Sequence, residues 1–177
     1  MLPSEDKIKV LLSEEEILKR IRELGAEIEN DYADRGITFV ITLKGAVFFA
    51  CELAKRISLP VYLEFVRMSS YSGTKSTGTV TMTLDVEAEK IAGRDVIIIE
   101  DVIETGLTMV KLKEHIQSMH PASLTVCTFV DKHECRTVPF EAEYVGFTLG
   151  REFLVGWGFD VDQKYRNLPY VGIVEQK

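Results

Sequence analysis

Apolar positions change period several times along the chain, and each change marks an element. Ile17, Ile21, Leu24 and Ile28 recur at helical spacing. Ser13 and Glu16 stand before them as a capping box, with Leu12 able to staple onto Ile17. The spacing predicts a helix that packs one face on a core. Asp34, Arg35 and Gly36 signal a turn, and the run ITFVITL after them reads as a strand. A helical stretch is expected from about Gly45 to Ile57. Pro60 opens a second strand-like run, VYLEFVRM. Small polar residues, SSYSGTKSTG, separate it from TVTMTLD, and their number makes residues 69–78 a candidate mobile loop. After Gly93, DVIII is a short apolar run with little alternation, which suits a central parallel strand covered on both faces. A helix is expected from about Gly106 to Met119, stopped by His120 and Pro121. SLTVCTFVD and AEYVGFTL read as further strands. Strands alternating with helices predict an α/β fold around a mainly parallel sheet. With no repeat or linker, the 177 residues read as a single domain, 1–177.

Charge narrows the set of partners. Lys plus Arg number 21 against 28 Asp plus Glu, a net charge of −7. A field of that sign repels nucleic acid and anionic membranes, so neither is expected as a partner. An anionic small substrate would need a local basic pocket, helped by a divalent cation. The three cysteines are Cys51, Cys127 and Cys135, an odd number without paired spacing, which argues against a disulfide framework. Cys51 and Cys127 sit in apolar runs, where buried, reduced thiols are expected. The N-terminus, MLPSEDKIKV, lacks an apolar signal core. The longest unbroken apolar run, Ala46 to Cys51, is far short of the ~20 residues that span a bilayer. The expected compartment is aqueous and reducing, most simply the cytoplasm.

The informative run is VIIIEDVIETGLT, residues 96–108. A buried strand there delivers Glu100 and Asp101 to its carboxyl end, the edge where open α/β sheets bind ligands. Thr105, Gly106, Leu107 and Thr108 follow at a helix start. Gly106 allows close backbone approach, and the helix start presents unpaired N–H groups with a partial positive charge. The two threonine hydroxyls add donors. This is a cradle for a monophosphate. The carboxylates would repel that phosphate, so they should meet another part of the ligand. Vicinal ribose hydroxyls suit them. The bland alternative is a solvated strand end followed by an ordinary helix cap.

The run resembles the motif that binds phosphoribosyl pyrophosphate (PRPP) in type I phosphoribosyltransferases: an apolar strand, two acids, two apolar residues, an acid, then Thr-Gly-x-Thr. The similarity extends from about Val40 to Gly172 and points to the hypoxanthine-guanine subgroup. It implies the fold of that family, a mainly parallel sheet flanked by helices with a small hood built from terminal segments. It implies transfer of the phosphoribosyl group to N9 of a 6-oxopurine, with Mg²⁺ as cofactor and a dimer or tetramer as assembly. By the same resemblance, Leu43, Lys44 and Gly45 match the pyrophosphate loop, where the family often has a cis peptide before the lysine. Arg67, Ser70 and Tyr71 match the strand end and flexible loop that close over the site. Lys132 matches the lysine that reads the purine O6. Phe153 matches the aromatic that stacks on the base, with the Leu154 backbone facing C2. Asp160 matches the Mg²⁺-linked aspartate, and Arg166 the arginine near pyrophosphate.

One position departs from the pattern. Glu104 stands where the family usually has Asp, the residue assigned to the proton at purine N7. The carboxylate is kept but carried one methylene further. Two other readings share the motif. Pyrimidine-operon attenuators use it and bind messenger RNA, but they need a basic face, and this chain is acidic with no lysine-arginine run. A weakened enzyme surviving as a nucleotide-binding protein would bind PRPP and turn over slowly. His133, Glu134 and Cys135 invite a metal reading but lack a second ligand cluster in sequence.

Overall fold

A computed structural model describes residues 8–33, 35–70 and 80–174. A six-stranded sheet forms the body, flanked by helices on both faces. The chain starts with strand β1 (Ile8–Leu12), which sequence periodicity did not reveal. Helix α1 (Glu14–Asp31) follows. Its capping box forms as expected: the Ser13 hydroxyl accepts from the Glu16 amide, and the Glu16 carboxylate accepts from the Ser13 amide. Ile17, Ile21, Leu24 and Ile28 are all fully buried. Strand β2 (Ile37–Thr42) is buried at every position, as a strand covered on both faces must be. Helix α2 (Ala46–Ala54) and strand β3 (Val61–Ser70) come next. Strand β4 (Val80–Leu84) returns antiparallel to β3. Strand β5 (Asp95–Ile103) is longer than the DVIII run implied and carries both motif acids. Helix α3 (Leu107–Gln117), strand β6 (Ser123–Asp131) and strand β7 (Tyr144–Thr148) complete the body.

The sheet order is β4-β3-β2-β5-β6-β7, parallel throughout except for β4. β5 is therefore central. Alternate side chains along it feed two cores. Ile97 and Ile99 face α1 and α2; Val96 and Ile98 face α3. A separate three-stranded sheet, the hood, pairs β1 with β9 (Val171–Val174) and β9 with β8 (Leu154–Val155), both antiparallel. This is the hood of terminal segments that the resemblance implied.

Phe129 on β6 anchors hood to body. Its ring lies 5.2 Å from Phe49 of α2 and 6.0 Å from Phe159, which follows β8. Such aromatic pairs add to simple burial and fix orientation. One core expectation fails: Cys51 is exposed, not buried. α2 has a single charged residue, Glu52, next to Cys51, and the other eight are apolar, so the spacing of apolar positions does not mark its bare face. Cys127 is fully buried, and burial pushes its thiol well above its ordinary range. Among the described residues no helix is long and apolar enough to cross a membrane.

Candidate functional site

The site forms where β5 leaves the sheet. Glu100 is 9% exposed, and its Oε1 lies 2.6 Å from the Thr42 hydroxyl and 3.0 Å from the Asp101 amide. Asp101 accepts from the Val102 amide at 2.8 Å. Burial lifts both carboxyls above their ordinary range, and repulsion from Asp101 lifts Glu100 further. Thr42 is the hydroxyl on Glu100, and the nearby Arg166 guanidinium only partly offsets the effect of burial on Asp101. The two acids are not a solvated strand end.

Asp101 also meets the Lys44 loop. A Cβ on Gly45 would sit 1.7 Å from Asp101 Oδ2, and a Cβ on Gly158 would sit 2.2 Å from the Gly45 carbonyl. Only glycines permit this three-way approach of β5, the 43–45 loop and the hood. The Leu43–Lys44 peptide is cis, as the resemblance implied. Lys44 Nζ donates to Gln163 Oε1 at 2.9 Å, tying the loop to the hood.

Beyond β5 the chain builds the cradle. Gly106 has φ +84°, the left-handed region that glycine enters without strain. Residues 107 onward are helical. A cleft of about 200 Å³ lies here, lined by Glu100, residues 102–106, Thr108 and Met109. Leu107 is exposed beside it.

A second cleft of about 200 Å³ adjoins the first, since Val102 and Glu104 line both. It gathers most of the remaining expected residues: Asp101, Lys132, Phe153, Leu154, Asp160 and Arg166. Lys132 Nζ donates to Glu104 Oε1 at 2.7 Å and to the Glu152 carbonyl at 2.8 Å. Lys132 is 6% exposed in this pair while Glu104 is 51% exposed. The ammonium is therefore buried, and the carboxylate that bonds it reaches in from the solvent side. Phe153 projects at 64% exposure, whereas Leu154 is buried. Asp160 is paired with Arg166 and accepts from the Gln163 amide at 2.8 Å. Arg166 also donates to the Gly158 carbonyl at 2.6 Å. Asp162, Gln163 and Tyr165 all have positive φ, a conformation uncommon outside glycine that recurs at functional sites.

Not every expected residue joins. Arg67 is exposed on β3 and lines neither cleft. Ser70 closes β3, while Tyr71 and most of the 69–78 loop lie outside the described residues. His133, Glu134 and Cys135 form a short 3₁₀ turn. It brings His133 near Asp131 and Glu141, but Asp131 is engaged by Arg136. Three contributors escaped sequence reading: Thr42 on Glu100, Gln163 between Lys44 and Asp160, and Arg136 behind the cradle. Thr42 precedes the Leu43-Lys44 pair directly, and that position was a usable signal.

A mainly parallel sheet, a cleft at the glycine turn after its central strand and a hood bordering the adjoining cleft define a class. A family model described as the phosphoribosyl transferase domain matches residues 8–164, and the chain belongs to that phosphoribosyltransferase family. Within it, the chain is similar to hypoxanthine-guanine phosphoribosyltransferases. It is 44% identical to that of Streptococcus thermophilus, over 96% of this chain and 94% of the relative. It is 42% identical to the hypoxanthine-guanine-xanthine phosphoribosyltransferase of Tritrichomonas foetus, over 97% of this chain and 94% of the relative. The crystal structure of a hypoxanthine-guanine phosphoribosyltransferase from Bacillus anthracis, with a HEPES molecule in its active site, superposes with a TM-score of 0.90. It is 39% identical and the match covers 97% of this chain and all of that one.

Proposed function

We propose that the protein is a purine-salvage enzyme that transfers the 5-phosphoribosyl group of PRPP to N9 of a 6-oxopurine, hypoxanthine or guanine, releasing pyrophosphate. The observation that carries this reading is the junction of two clefts at Glu104. One offers a helix start and buried acids; the other offers an acid–lysine pair beside an exposed aromatic ring.

Each half has a physical rationale. The 5′-phosphate would sit on residues 105–108, where amides and hydroxyls converge. The ribose hydroxyls would donate to Glu100 and Asp101, supplying the partners that burial makes these acids need. Lys44, the Gly45 amide and Arg166 would hold the pyrophosphate. The base would stack on Phe153, with the Leu154 backbone at C2. Lys132 would donate to O6, and Glu104, bonded to the same ammonium, would take the proton at N7. O6 and N7 are adjacent on one edge of a 6-oxopurine, so a contacting acid–lysine pair matches that edge. A 6-aminopurine would instead set a donor against the ammonium.

The donor set also fits a hard cation. Asp160 lines the same cleft as Asp101, and carboxylate oxygens are the ligands a hard cation takes. Mg²⁺ held by Asp160 with the pyrophosphate would offset the charge of that leaving group. Self-association is expected as well. Phe48 on α2 and Leu63 and Phe65 on β3 are exposed apolar residues available for it, and light scattering would measure the mass.

The test of function is direct. Protein, Mg²⁺ and PRPP are mixed with hypoxanthine, guanine or xanthine in turn, and nucleotide formation is followed by ultraviolet absorbance. Turnover with at least one base is expected. Absence of turnover with all three would defeat the enzyme reading.

A further inference from the structure

Arg136 lines neither of these two clefts, yet its side chain is 9% exposed and all three of its guanidinium nitrogens donate. Nη1 donates to the carbonyls of Ile103 and Glu104, each at 2.7 Å. Nε donates to the Phe140 carbonyl at 3.1 Å, and Nη2 is paired with the buried Asp131 carboxylate. The next residues extend the strap. The Thr137 amide donates to the Thr105 carbonyl at 3.0 Å. Three successive carbonyls, of residues 103, 104 and 105, are thus drawn to one segment. In a trans peptide the C=O and the following N–H point in opposite directions. The amides of Glu104, Thr105 and Gly106 are therefore turned away from the strap, and these three residues line the first cleft. Gly106 completes the fit. A Cβ there would lie 3.1 Å from Phe140 Cβ and 3.2 Å from Val138 Cγ2.

We infer that Arg136 is a positioning residue for PRPP: it sets the polarity of the phosphate cradle by holding the loop's carbonyls behind it. This rests on the proposed reaction. Asp131 pairs with the guanidinium and orients it, and Asp131 is fixed at the end of β6 beside Lys132. One buried fork therefore locks the end of β5 to the end of β6. Lysine cannot replace it, because a single ammonium cannot span these acceptors.

Steady-state kinetics on two variants tests the inference. Arg136→Lys keeps the charge beside Asp131 and loses the fork. Arg136→Met combined with Asp131→Leu removes both buried charges, so neither is stranded. Both should raise KM for PRPP about tenfold or more, with a smaller change in KM for the purine. A merely structural clamp would instead lower the melting temperature and the active fraction and leave both KM values unchanged. That outcome, KM for PRPP within twofold of the parent, or failure of both variants to fold would overturn the inference. The parent enzyme runs in the same assay, so loss of the underlying function reading appears separately, as absence of parental turnover.

Discussion

Gly45→Ala tests the packing of the site with a single methyl group. Gly45 has φ −63° and ψ −41°, which alanine adopts freely, so the backbone is not strained. The new Cβ would lie 1.7 Å from Asp101 Oδ2, and restoring the 3.0 Å that Cβ atoms keep requires a retreat of about 1.3 Å. Overpacking of this kind costs about 1–3 kcal/mol. The smaller unfolded-state entropy of alanine offsets about 0.4–1 kcal/mol of it. The net loss is roughly 0–2.6 kcal/mol, or up to about 10 °C in melting temperature for a domain of this size. The effect on rate should be larger. A catalytic-site group displaced by about 1 Å costs about 10²-fold, equivalent to about 2.7 kcal/mol of barrier. Scanning fluorimetry and initial rates with varied PRPP would measure both quantities. The variant should fold, melt slightly early and lose about 10²-fold in kcat/KM for PRPP. A folded variant with kcat/KM for PRPP within about threefold of the parent would refute the placement of Asp101 against the PRPP sugar.

Further outcomes follow from the same geometry. Glu104→Asp should preserve or raise kcat for purine transfer, and a collapse in initial rate would mean that the longer side chain is specifically required. Phe153→Ala should leave the melting temperature nearly unchanged, because the ring is already 64% exposed. It should raise purine KM by about 5- to 150-fold, the equivalent of about 1–3 kcal/mol of stacking; an unchanged purine KM would remove Phe153 from the base site. Glu100→Gln should stabilise the ligand-free protein increasingly as pH rises above 4.5, the ordinary value for this carboxyl. The folded pKa is raised, so the parent's favourable contribution is complete below the unfolded value and fades as pH climbs through the folded one. Melting curves of both proteins across that window should diverge; parallel curves would contradict the burial of Glu100.

Much of the body was legible because its signals are local. The capping box at Ser13 and Glu16, the unbroken apolar run of β5 and the Thr-Gly turn into α3 each lie within a few neighbouring residues. The PRPP half of the candidate site is contiguous in the same way, from Glu100 to Thr108. The hood was not legible residue by residue. β1, β8 and β9 have five, two and four residues, and β1 pairs with β9 from the opposite end of the chain, so no window carries their periodicity. Arg136 escaped for another reason. Its partners are mainly backbone carbonyls, which have no sequence identity. Cys51 is exposed against expectation because a helix with one charged residue among nine barely declares which face neighbouring elements will cover.

The purine half of the site depends on register more than on motif. Parallel pairing sets Ile103 on β5 opposite Asp131 on β6. The next residues, Glu104 and Lys132, therefore leave the sheet side by side, and the Lys132 amide donates to the Ile103 carbonyl at 3.0 Å. A slip of one residue would move them apart by about 3.3 Å along the strands and turn the β6 side chains to the opposite face. The Lys132–Glu104 contact would then be lost while residues 100–108 kept their local order. The fork of Arg136 opposes that slip, since it grips the carbonyls of residues 103 and 104 and the side chain of Asp131 at once. At Glu104 the backbone carbonyl is held by the clamp while the side chain is half exposed, which gives the extra methylene room for side-chain rotation. The phosphate half and the base half can then be tuned separately, with the clamp keeping them at a fixed separation.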